Sequence, residues 1–143
     1  MLRYLLNKER FSWALYDWAN SAFWTTVVAG FFPIFFKSYW AAELDGPSSS
    51  AVLGTTNSIA GFCIVLMAPI LGTIADKAGA KKNFLVFFAL LGIIATGSFF
   101  FIPSGYWIVA SILFGISLLG ASGSNIFYDS LIVDVSNEKN RNI

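Results

Sequence analysis

The sequence predicts an all-α membrane protein, a polytopic bundle of four transmembrane helices. Three observations carry this expectation. Of 143 residues, 57% are hydrophobic and 17% aromatic, while only 12% are charged, about half the roughly 25% of a soluble domain. The charges are clustered: Asp17 is the only one from Phe11 to Phe36, and none occurs from Gly46 to Ala75 or from Asn83 to Tyr128. The basic residues also fall on one side of any even-span arrangement. The spans must be helical, because lipid satisfies no backbone polar group and four short strands cannot close a barrel.

The composition excludes several functions. There is no histidine and a single cysteine, so a disulfide framework, a Cys/His zinc site and histidine-based catalysis are ruled out. A net charge of +1 leaves no footprint for nucleic acid. No cluster of metal ligands, phosphate-cradling glycine loop or nucleophile with a nearby base stands out, so no catalytic residue, metal site or cofactor is expected, and an enzyme is the least favoured class. The expected partners are the lipid bilayer and a small-molecule solute.

The first span is expected over residues 12–36. Arg3, Lys8 and Arg10 precede it and give it the look of a signal peptide. The apolar run is long, however, carries Asp17 and Asn20, and lacks a small-residue cleavage site, so it reads as a retained span. Asp17, Asn20 and Ser21 share a helix face through i+3 and i+4 spacing, with Trp13 and Trp24 flanking it. A carboxylate at mid-membrane depth costs roughly 2.5 to 3.5 kcal/mol on insertion scales. Asp17 is therefore either a substrate-contacting or proton-carrying group, or an interfacial acid that stays wet; both readings stand. Pro33 removes one amide donor and frees the Ala29 carbonyl, which gives either a packing kink or a bend that moves.

A polar outer loop is expected around Ser38 to Ser50, with Lys37, Glu43, Asp45 and Pro47. The second span covers residues 52–75, with Pro69 freeing the Val65 carbonyl. Cys63 reads as a small apolar packing residue, and Asn57 as a modest polar contact. The third and fourth spans, 84–102 and 107–132, share one uncharged stretch. As a single helix it would be roughly 69 Å long, against a hydrocarbon core of about 30 Å, so it must turn, and Pro103-Ser104-Gly105 is the turn. In the fourth span Gly120 with Ser124, and Ser117 with Ala121, are small-xxx-small pairs, which place this helix inside the bundle. Asp129 lies near its end with Asn125 one turn before it, again either a latch for a basic side chain or an interfacial acid. Asp134 and Glu138 read as solvated tail charges.

With four spans, both termini and the loop between the second and third spans lie on one side. That side holds Arg3, Lys8, Arg10, Lys77, Lys81, Lys82, Lys139 and Arg141, and the other holds Lys37 alone. The positive-inside rule makes it cytoplasmic. Trp13, Trp18, Tyr39, Trp40, Tyr106, Trp107 and Tyr128 fall near span ends, as an aromatic belt would.

The loop joining the second and third spans reads Gly72-Thr-Ile-Ala-Asp76-Lys77-Ala-Gly79-Ala-Lys81-Lys82. Gly72 allows a close helix contact, Asp76 suits a helix N-terminus facing it, Gly79 permits a tight turn, and Lys77, Lys81 and Lys82 keep the loop in the cytoplasm. This pattern resembles the signature loop of the major facilitator superfamily. The first-span stretch from Ser12 through Asp17, Asn20 and Phe23 to Pro33, and Phe127-Tyr128-Asp129-Ser130-Leu131 in the fourth, resemble the vacuole-effluxer branch, related to autophagy-linked vacuolar amino-acid exporters and their bacterial relatives. Two positions depart from the pattern. Ala80 follows Gly79 where a basic residue is common, and Val133 stands where this branch has proline.

The resemblance implies a partial major facilitator fold. It implies about twelve spans in a whole transporter, built from three-helix repeats inverted within each half. Residues 1–143 then form the N-terminal part of a transporter membrane domain, and the remaining C-terminal spans are missing partners. The implied function is secondary export of amino acids or similar small solutes by alternating access. The short loops favour a bacterial plasma membrane; a eukaryotic protein would sit in the vacuolar membrane. Two alternatives stay open on sequence: a complete four-span oligomeric multidrug-type exporter, in which Asp17 is the transport carboxylate, and a non-transporting membrane scaffold.

Overall fold

The four apolar runs fold as four helices in the computed structural model, which describes residues 8–140; within these, the side chains of residues 8–10, 13, 75, 77–78 and 132–140 are outside the description. Arg3 and Arg141 therefore lie outside the described residues, as do the side chains of Lys8, Arg10, Trp13, Lys77, Asp134, Glu138 and Lys139. Helix α1 runs in four consecutive pieces: α-helical Lys8–Ala22, π-helical Phe23–Phe31, α-helical Phe32–Phe35 and π-helical Phe36–Trp40. Helix α2 is Gly46–Ala78, helix α3 is Lys81–Gly97 closed by a 3-10 turn over Ser98–Phe101, and helix α4 is Trp107–Asn140. Four segments are long and apolar enough to cross a bilayer: Ala14–Trp40, Gly46–Ile74, Lys81–Phe101 and Trp107–Leu131. Among the described residues there is no strand, and the chain is a multi-pass membrane protein.

The expected outer loop is much shorter than the sequence suggested. Helix α1 reaches Trp40 and α2 begins at Gly46, so only residues 41–45 connect them. The polar residues assigned to a loop are absorbed into helix ends. The hydroxyl of Ser38 donates to the Ile34 carbonyl (2.9 Å), and those of Ser49 and Ser50 donate to the Gly46 carbonyl (3.0 and 2.9 Å). Pro47 sits in the first turn of α2, where its missing N–H has no helical partner to lose. Pro69 interrupts nothing visible in α2; its own carbonyl accepts a hydrogen bond from the Thr73 hydroxyl at 2.7 Å.

Helix α4 is the interior helix. Half of its most apolar window is buried, against 6% for α2. The reason is a backbone seam with α3. A Cβ built on Gly120 would lie 2.4 Å from the Gly92 amide nitrogen and 2.8 Å from the Phe88 carbonyl oxygen, and one on Gly123 would strike the Phe88 ring. Without a water-driven force between helices, such close approach of small residues is what binds them in lipid.

Two aromatic cores lie at opposite ends. At the Pro103 end, Phe32, Phe36 and Trp40 of α1 are buried with Phe99 of α3 and Phe114 of α4. Phe32 stacks on Phe114 at 3.8 Å between ring centroids, and the Trp40 indole donates to the Ile102 carbonyl at 3.1 Å. At the Gly79 end, Phe127 of α4 stacks against Phe84 and Phe88 of α3, with Met67 and Leu71 of α2 alongside. The belt assignment fails for Trp40 and Tyr128, which are 1% and 6% exposed. Trp40 is held inside by its indole hydrogen bond and Tyr128 by stacking on Tyr16. Trp18, Tyr39 and Tyr106 are exposed.

Candidate functional site

Between the two aromatic cores the first helix stands off from its neighbours. A cavity of about 370 Å³ opens there, with Tyr16, Asn20 and Phe23 of α1 facing Gly92 and Thr96 of α3 and Ser124 of α4. Small residues on the α3 and α4 walls (Ala89, Gly92 and Ala121) leave the room. The walls are mainly apolar, and the polar atoms are few. The hydroxyls of Thr96 and Ser124 donate to their own helices, to the Gly92 and Ala121 carbonyls at 2.8 Å each, and Ser124 is also hydrogen-bonded to the Tyr16 side chain across the cleft. A mostly apolar cleft with a few converging polar groups is the usual form of a small-molecule site.

A second group of polar side chains adjoins it at the Gly79 end. Tyr16 of α1 stacks on Tyr128 of α4, ring centroids 4.7 Å apart and 28° from parallel. Asp17 and Asp129 both lie within electrostatic range of the Tyr128 hydroxyl. Asn125 lies one turn before Asp129, and its Oδ1 is buried with no hydrogen-bond partner among the described residues, although buried polar atoms are nearly always paired.

The loop motif forms a compact turn. Gly79 has φ +60°, a left-handed conformation that costs glycine nothing, and it ends α2 with its N–H toward the Asp76 carbonyl. The turn brings Lys81, the first residue of α3, back to Asp76, with Nζ 2.9 Å from Oδ1. Lys82 is exposed, and the Lys77 side chain lies outside the described residues. Among the described residues a Cβ on Gly72 would meet nothing within 4 Å. The close helix contact among them is that of Gly92 with Gly120.

Of the residues singled out from sequence, Asn20 lines the cavity, Asp17 and Asp129 are exposed, and Asn125 is half-buried one turn before Asp129, while Asp76, Gly79 and Lys81 form a separate turn. Tyr16, Thr96 and Ser124 were not anticipated as site residues. Tyr16 carried a usable signal, since it precedes Asn20 by one turn. Asn57 donates to its own helix, to the Leu53 carbonyl at 3.0 Å, and Cys63 is a free, half-buried thiol.

Comparison with known proteins places the chain in a family. The chain is 44% identical over 137 residues to a Bacillus subtilis (strain 168) protein described as the uncharacterized MFS-type transporter YxiO. The match takes in 95% of this chain and 32% of that protein, so the chain spans about a third of the relative's length. No solved structure matches it. The family model described as "Vacuole effluxer Atg22 like" matches residues 47–141, which is well over half of the sequence, and the chain therefore belongs to the vacuole effluxer Atg22-like family of membrane proteins.

Proposed function

We propose that these four helices form part of a secondary transporter of the major facilitator type, which exports amino acids or similarly small solutes by alternating access. Both termini and the Gly79 turn face the cytoplasm in this reading, as the basic residues require. The single observation that carries it is the cleft between α1, α3 and α4 with its polar edge at Tyr16, Asn20 and Ser124, set in a chain whose relative is described as an MFS-type transporter.

The chemistry follows from the residues present. The apolar walls accept a hydrocarbon side chain, and the Asn20 amide offers both a donor and an acceptor. Asp17 and Asp129, both within electrostatic range of Tyr128, attract an ammonium group or carry a proton. The Asp76–Lys81 ion pair holds the α2–α3 turn on the cytoplasmic side, where it must keep its shape while the helices shift.

The test is transport in proteoliposomes containing the whole transporter of which these helices form part, loaded with a panel of radiolabelled amino acids. Efflux of one or more of them is expected. Asn20→Ala and Asp17→Asn should each lower the rate at least about tenfold, the size of one lost polar contact of about 1.4 kcal/mol, while Gly61→Ala should leave it unchanged. If no amino acid moves, or if all three variants transport alike, the assignment of solute class or of site fails.

A further inference from the structure

The two halves of α1 differ in how firmly they are held. Residues 32–40 are fixed: Phe32 and Phe36 are fully buried, Phe32 lies flat on Phe114, and the Trp40 indole is hydrogen-bonded to the next loop. The Lys8–Ala22 half is loose. Phe11, Leu15 and Trp18 are 62%, 52% and 71% exposed, and the cavity separates this half from α3. Tyr16 ties this half to α4 through its ring stack on Tyr128 and a hydrogen bond with Ser124, both contacts of side chains, without the backbone approach seen between α3 and α4.

The nine residues between the halves are π-helical. The Phe32 N–H reaches the Val27 carbonyl, five residues back. At the start of this segment the Thr25 hydroxyl donates to the Ser21 carbonyl at 2.9 Å, the kind of side-chain competition that bends helices. At its end comes Pro33, which offers no amide. Runs of i→i−5 bonds are rare because their geometry is poorer than that of the α-helix, and they gather at functional sites. They are also the weakest link in a helix whose two ends are held unequally.

We propose that Phe23–Phe31 is a hinge. About it the Lys8–Ala22 half of α1 swings as one body, which opens and closes the Tyr16 and Asn20 side of the cleft, while residues 32–40 stay fixed to α3 and α4. The bend thus lies one to two turns before Pro33. The proline itself sits in the anchored half, between the buried rings of Phe32 and Phe36.

The experiment is pulsed electron-spin distance measurement on the protein in lipid nanodiscs, in a Cys63→Ser background. One nitroxide pair, Ala14→Cys with Val86→Cys, spans the loose half. The other, Ile34→Cys with Ile108→Cys, spans the anchored half; all four positions are exposed. The first pair should give two resolved populations and the second a single one. Thr25→Val with Pro33→Ala, which restores an amide and removes the competing hydroxyl, should abolish the second population of the first pair. A single population for the first pair, equal spread in both pairs, or no response to the double substitution would each overturn the hinge. No solute is present, so this result is independent of whether the protein moves amino acids.

Discussion

Phe32 of α1 and Phe114 of α4 lie face to face, 6° from parallel and 3.8 Å between centroids. Both are almost wholly buried. In soluble cores, cutting a phenylalanine to alanine costs about 3–5 kcal/mol. In lipid the water-transfer part of that cost falls away and the packing part remains. Phe114→Ala should therefore lower the midpoint of unfolding in an SDS titration, by less than the soluble range, and Phe114→Leu should recover part of the loss. A double-mutant cycle with Phe32→Leu should return a coupling of about 0.5–1.5 kcal/mol. A coupling of zero would mean that the stack is incidental.

Gly120 tolerates no side chain. A Cβ there would sit 2.4 Å from a backbone atom of Gly92, and backbone cannot step aside as a flexible side chain can. Gly120→Ala should force α3 and α4 apart and sharply reduce the folded fraction seen by size-exclusion chromatography in detergent. Gly61→Ala, where a Cβ meets nothing within 4 Å, should behave as the unsubstituted protein. Equal yields from both would disprove the seam.

The Asp76–Lys81 pair should matter to rate more than to stability. Asp76 is 63% exposed, and such pairs contribute ~0–1 kcal/mol. Asp76→Asn should leave the unfolding midpoint nearly unchanged while slowing transport more than it lowers expression. A transport rate equal to that of the unsubstituted protein would reduce the motif to a topology signal.

Tyr128 stacks on Tyr16 of the first span, with Asp17 and Asp129 in electrostatic range. Tyr128→Phe keeps the stack on Tyr16 and deletes the hydroxyl near Asp17 and Asp129. Efflux should be slower in Tyr128→Phe and in Asp17→Asn than in the unsubstituted protein. Equal rates in all three proteins would remove these groups from transport.

Much of the bundle could be read from the chain. The uncharged stretches, the Pro103–Gly105 turn and the small residues of α4 all point to structure that is present, because each reflects a local demand: exclusion of charge from lipid, a break in hydrogen bonding, or close backbone approach. The site was legible in part. Asp17, Asn20, Asn125 and Asp129 are polar residues in apolar runs, so they stand out. Tyr16, Thr96 and Ser124 do not, since hydroxyl-bearing residues satisfy themselves on their own helix and occur throughout membrane spans. The error has the same character: Trp40 looked interfacial because its indole partner, Ile102, is 62 residues away.

The backbone seam between Gly92 and Gly120 also bears on how the protein is made. Each span satisfies its own peptide groups and can wait alone in the bilayer, and the tightest pair described here can close only once α4 has followed α3. The earlier helices are therefore released into lipid before the strongest docking surface exists. A ribosome that stalled short of Gly120 would leave three stable but unassembled rods, a natural target for membrane quality control.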